Sequence, residues 1–179
     1  RLQDQDGLVA QNRRQFLLTV GAGLVACATD ALGSDIDGTL VYLLNDTHIG
    51  EAQPSNSSVP SHLCQVVDEL VGTKSKPASV LFNGDLALKD GQPGDYRHFA
   101  KLIAPLREAG MDLHLTLGNH DNRETFYNVL TEERPEAAAV ASRHISVVRT
   151  YHANFFLLDS LKETMVTQGT LGEAQRAWL

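Results

Sequence analysis

A chain of 179 residues, 42% hydrophobic and 21% charged, has enough material for one domain with a sizeable core and is too apolar to be disordered throughout. Its net charge of −7 argues against a broad nucleic-acid-binding face, and no apolar run reaches the ~18–20 residues of a membrane span. Seven histidines against two cysteines favour His/Asp metal chemistry over thiolate sites.

The first 35 residues differ from the rest. "NRRQFLL" sets Arg13 and Arg14 ahead of the uncharged stretch "FLLTVGAGLVACA", which looks like a twin-arginine export signal. A short buried helix is the competing reading, weakened by Gly21 and Gly23. The small residues around Ala26 suit cleavage after Ala28, whereas Leu24-Val25-Ala26-Cys27 resembles a lipobox that would place a lipid anchor on Cys27. Residues 1–35 are therefore expected to be an export signal and linker. The mature protein is expected in the periplasm or lipid-anchored in the cell envelope.

From residue 36 onward the elements alternate. "TLVYLL" (39–44) reads as a buried strand. "EAQPSNSSVP" is a loop by composition. A helix follows over 61–71, with Ser61 as N-cap and Gly72 past its end. "ASVLF" (78–82) is a second strand. A second helix, 95–109, carries Tyr96, Phe99, Leu102, Ile103 and Leu106 on one face and Pro105 within it. "MDLHLTL" (111–117) is a third strand. This strand–helix–strand–helix–strand order predicts an α/β fold with a mostly parallel sheet. "HISVVRT" and "ANFFLLDS" read as two more strands, close enough in sequence to form an antiparallel pair, and "EAQRAWL" begins a helix.

Each parallel strand ends in polar residues: Asp46-Thr47-His48, then Gly84-Asp85, then Gly118-Asn119-His120-Asp121. The carboxyl ends of parallel strands share one edge, where ligands bind, so the three clusters should converge. Mixed oxygen and nitrogen donors suit Mn, Fe or Zn. Two such cations about 3.5–4 Å apart can clamp a phosphoryl group and activate water for in-line attack. Gly84 and Gly118 allow the backbone to turn sharply beneath the site.

In this order, "DTH", "GD" and "GNHD" resemble the first three motifs of the calcineurin-like metallophosphoesterases. "FFLLDS" followed by "GEAQRAWL" resembles bacterial members related to class III cyclic-nucleotide and glycerophosphodiester phosphodiesterases. The resemblance implies an α/β/β/α sandwich and a hydrolase for a small-molecule phosphoester, phosphodiester or phosphomonoester. It implies two divalent metal ions, Asp46 and His48 on the first, Asp85 bridging both, and Asn119 on the second. It makes His120 the proton donor to the leaving oxygen and Asp121 the residue that orients it. The family's later His and Gly-His-x-His do not occur before Leu179, so residues 36–179 are expected to be the N-terminal portion of the domain, incomplete at the C-terminus. Alone, residues 29–179 are expected to hold the second metal weakly and to hydrolyse phosphoesters negligibly.

Two rivals stand beside this reading. "SDIDGTLVY" copies the nucleophile motif of haloacid-dehalogenase-like phosphatases, with Asp35 attacking and Asp37 as acid/base, but the apolar strand follows that motif instead of preceding it. A truncated, non-catalytic domain that binds metal or a partner is the other. His62, His98, His114, His144 and His152 are expected to ligate nothing, and Trp178 to belong to the core. Arg123 is expected as either a solvated helix start or a phosphate contact.

Overall fold

The computed structural model describes residues 36–179. The export motif, Cys27, Ala28 and Asp35 lie outside the described residues. β1 (Ile36–Asn45), α1 (Val59–Val71), β2 (Lys76–Asn83), α2 (Pro93–Glu108) and β3 (Leu113–Leu115) follow the expected order. The three strands form one parallel sheet in the order β1-β2-β3. Asn45 pairs with Asn83, and Phe82 with Leu115, so the three carboxyl ends finish nearly level.

The centre of the sheet is dry because "SVLF" in β2 has no polar side chain left to solvent: Val80, Leu81 and Phe82 are all buried. Leu63, Val67 and Leu70 of α1 and Tyr96, Phe99, Ile103 and Leu106 of α2 close over it. Phe82 and Phe99 meet edge to face with centroids 5.4 Å apart. α1 starts two residues before the expected boundary. Ser58 is its N-cap residue, Pro60 occupies the first turn, where a missing N–H costs nothing, and the Ser61 hydroxyl bonds the Ser58 carbonyl. Gly110, at φ +73°, takes the left-handed conformation that ends α2.

After the third polar cluster the chain makes α3 (Arg123–Val129), which the sequence reading marked only by its first residue. The Asn122 side chain accepts the Thr125 N–H at 3.0 Å and caps it. β4 (Ser146–Arg149) and β5 (Asn154–Leu157) pair antiparallel, as expected, and α4 (Gly172–Trp178) follows. Trp178 is half-buried and lies against Phe156.

Asp159 ties this second part of the chain to the first. Its buried carboxylate receives Arg123 Nε at 2.7 Å and Nη2 at 2.8 Å, and the backbone N–H groups of His144 and Leu161. Gln175 of α4 brackets the Asp159 backbone, accepting its N–H and donating to its carbonyl. Arg123 does start a helix, but its guanidinium is committed to a buried carboxylate and the Leu161 carbonyl and not to solvent or a phosphate. Among the described residues no helix is long and apolar enough to cross a membrane.

Candidate metal centre

The segment after β1 is laced to the segment after β2. His48 N–H donates to the Asp85 carbonyl and Ile49 N–H to that of Leu86, both at 2.9 Å, and the buried Thr47 hydroxyl donates to the Leu86 carbonyl. This stacks His48 over Asp85. Asp46, His48 and Asp85 all adopt positive φ, at 50°, 43° and 45°. That region is uncommon for residues other than glycine, and Asn, Asp and His are enriched among those that use it. Gly84, at φ +73°, turns the chain, and a Cβ there would stand 3.0 Å from the Gly118 nitrogen. The two motif glycines thus pack backbone to backbone and bring Asp85 beside residues 119–121.

Asp85 Oδ1 accepts the His120 N–H at 2.8 Å, and its Oδ2 lies 3.9 Å from His48 Nε2. The His48 and His120 rings meet edge to face, 4.7 Å between centroids. One donor atom from each of His48, Asp85 and His120 lies within 4.8 Å of the other two. A cavity of about 280 Å³ adjoins the trio, and Asp46, Asn83, Asp85, Asn119, Ser160 and Thr167 are on its wall. All three clusters therefore converge as expected. Asp46 and Asn119 face the cavity, and Asp46 is not in the trio.

The donors suit a divalent cation. His48 Nδ1 lies 3.4 Å from the Leu88 carbonyl, an acceptor that selects the Nδ1–H tautomer and leaves a lone pair on Nε2. The 3.9 Å between that Nε2 and Asp85 Oδ2 is too long for a hydrogen bond and close to the span of two metal bonds of about 2.0–2.2 Å. Buried His120 Nδ1 has no hydrogen-bond partner, an unmet need of the kind that marks functional sites.

Asp121 does not do what the family resemblance implied. Its fully buried carboxylate accepts the backbone N–H groups of Gly118, Leu86 and Ala87 at 2.8, 3.2 and 3.1 Å, and the Tyr96 hydroxyl at 3.2 Å. Its oxygens hold the two glycine loops together and make no hydrogen bond to His120. Burial pushes this carboxyl up to about 6, against the four donors that pull it down. Burial, and then the Asp121 charge, raises Tyr96.

The dehalogenase-like motif lies elsewhere. Asp37 begins β1, roughly 25–30 Å along the strand from Asp46 at its other end. Its carboxylate accepts the Thr39 hydroxyl and N–H, which lowers its pKa.

His144 is buried, although no local pattern around it marks it. The Leu115 carbonyl, 2.8 Å away, can only accept, so Nε2 carries the proton and Nδ1 takes the Tyr127 hydroxyl at 2.8 Å. Burial lowers its pKa.

The calcineurin-like phosphoesterase family matches residues 39–165. The chain belongs to that family. The calcineurin-like match contains all three polar clusters, and the family uses divalent metals, which the His48/Asp85/His120 group fits. A cAMP/cGMP dual specificity phosphodiesterase of Mycobacterium tuberculosis (strain CDC 1551 / Oshkosh) is 32% identical over 99 residues, 53% of this chain and 31% of that relative. A protein described as "Probable cyclic nucleotide phosphodiesterase", from Rhodococcus erythropolis (strain PR4 / NBRC 100887), is 30% identical over 94 residues, 50% and 31% of the two chains. The similarity thus spans about a third of the length of each relative.

Proposed function

We propose that the chain carries the metal-binding part of a phosphoester hydrolase whose substrate is a small phosphodiester of the cyclic-nucleotide class. The observation that carries this is the approach of the His48 and Asp85 donors, with the His120 ring within 4.8 Å of both as proton donor, beside a polar cavity at the carboxyl edge of a parallel sheet. The two phosphodiesterase relatives support the diester over a monoester. Asp46 and His48 would hold one divalent cation (Mn, Fe or Zn), Asn119 a second, and Asp85 both. Such a pair supplies charge against a phosphoryl group and makes water a stronger nucleophile at neutral pH.

The chain's own residues do the rest. Asp85 Oδ1 fixes the backbone of His120, and Asp121 fixes both loops. His120 gives a proton to the leaving oxygen, and the Ser160 and Thr167 hydroxyls on the cavity wall are available to the ester's other oxygens. Export is part of the proposal. Arg13→Lys with Arg14→Lys should leave the protein in the cytoplasm, and normal export of that pair would refute it.

The test of the function is His120→Ala in the full-length protein that carries this chain, assayed with aryl phosphodiesters in Mn²⁺. Turnover should fall about 10²–10⁴-fold for a poor leaving group and less for a good one, with metal content nearly unchanged. Loss of bound metal in that variant would instead make His120 a ligand, and absence of metal-dependent turnover in the parent would overturn the proposal.

A further inference from the structure

Among the described residues no side chain hydrogen-bonds the His120 ring. Its Nδ1 has no partner, and the Asp121 carboxylate is committed to other donors. The backbone holds the residue instead, from both sides. The Asn119 carbonyl accepts the Met165 N–H at 2.7 Å, and the Asp121 carbonyl accepts the Thr164 hydroxyl at 2.7 Å. With the His120 N–H on Asp85 Oδ1, the peptide before His120 is held at both its polar groups; the Asp121 N–H on the Gly118 carbonyl at 3.2 Å holds the peptide after it, and the Thr164 hydroxyl fixes the next one along. Pinning both planes sets the direction of its Cα–Cβ bond, and the His48 ring then limits how far the imidazole can rotate.

The two donors sit on one turn, 163–166, closed by the Val166 N–H on the Glu163 carbonyl at 3.1 Å. Met165 takes φ +67°, a conformation that a long side chain rarely adopts and that persists only where its surroundings impose it. The turn is anchored upstream by buried Leu161 and by the Asp159 carboxylate on Arg123. The upstream end of this turn is therefore fixed to α3, the helix that follows the third polar cluster.

We infer that Thr164 is a positioning residue for His120, and that the 163–166 turn is the clamp that orients the imidazole in place of a carboxylate partner. This rests on the proposed role of His120 as proton donor. Thr164→Val keeps the shape and removes the hydroxyl, leaving the Asp121 carbonyl without that bond. Thr164→Ser keeps the hydroxyl.

The experiment compares the full-length protein that carries this chain with both variants of it, by amide hydrogen exchange and by hydrolysis of aryl phosphodiesters with good and poor leaving groups in Mn²⁺. In Thr164→Val, exchange at the His120 amide should rise by about 10-fold or more while Val80 to Phe82 stay within about twofold, since local opening need not follow global unfolding. Turnover of the poor-leaving-group ester should fall by about 10-fold or more with KM nearly constant, and that of the good one less, because a proton donor out of place matters most where protonation is needed. Thr164→Ser should restore both. Unchanged His120 exchange in Thr164→Val, equal turnover loss for the two esters, or failure of Thr164→Ser to restore either would overturn the inference. If the parent itself has no turnover, the hydrolase reading fails, and the exchange data alone decide whether the clamp holds residue 120.

Discussion

Replacing Gly118 with alanine puts a methyl group where Asp85 already stands. A Cβ at residue 118 would lie 2.5 Å from the Asp85 backbone nitrogen and 2.7 Å from its carboxyl carbon, against 3.4–4 Å for ordinary contact. The carboxyl group must retreat by at least about 0.7 Å, the difference between 3.4 and 2.7 Å. The Asp85 backbone cannot easily follow, because its carbonyl takes the His48 N–H and the next two amides are held by Asp121. That carboxylate also accepts the His120 N–H and faces His48 Nε2, so one methyl disturbs all three donors of the trio. A misplacement near 1 Å costs about 10²-fold in rate, and overpacking costs about 1–3 kcal/mol, or roughly 3–10 °C in Tm for a domain of this size. Thermal unfolding reads the stability loss and calorimetric titration with Mn²⁺ or Zn²⁺ reads the displaced donors, whose affinity should weaken at least about 10-fold. Gly38→Ala is the control, since its Cβ would meet only Tyr151 at 3.9 Å. A folded Gly118→Ala protein that binds metal as tightly as the parent would show that Asp85 is not in the metal centre.

In the full-length protein Asp85→Asn should abolish activity and remove both cations together, and elemental analysis finding two tightly held metals would exclude a bridging role. Asp159→Asn leaves the Arg123 guanidinium facing a neutral amide. It should cost about 2–3 kcal/mol in urea unfolding, below the ~3–5 of a fully dry pair because Arg123 keeps some contact with solvent. His144 prefers its neutral form in the fold, so the unfolded chain takes up a proton first as pH falls below 6.5. Stability from this residue is therefore full above pH 6.5 and declines on acidification. The difference in unfolding free energy between parent and His144→Gln should shrink from pH 7.5 to 5, and a constant difference would contradict the assignment.

The parallel sheet and its polar edge were legible because each depended on local pattern. An apolar strand followed at once by Asp, His or Asn needs no distant partner to be read. The roles of Asp121 and Arg123 were not legible for the opposite reason. Asp121 is buried by donors at residues 86, 87, 96 and 118, and Arg123 by a carboxylate 36 positions away. Adjacency to His120 suggested that Asp121 served it, but tertiary packing turned the carboxylate toward the amides beneath the loops. α3 was expected only as a helix start at Arg123, although it had a fuller signal: Asn122 is a capping residue, and Phe126 and Leu130 follow at helical spacing.

The left-handed backbone at Asp46, His48 and Asp85 limits how this centre can vary. Donor chemistry alone would let glutamate or cysteine stand at any of the three. The backbone narrows the choice, because Asp, Asn and His tolerate positive φ while longer and branched side chains are strained there. A library that swaps donors at these positions should therefore yield folded proteins mostly with Asp, Asn, His or Gly. Converting the centre to a thiolate site for softer metals would require rebuilding the loops after β1 and β2, because the conformation of the chain restricts the metals as firmly as the ligands do.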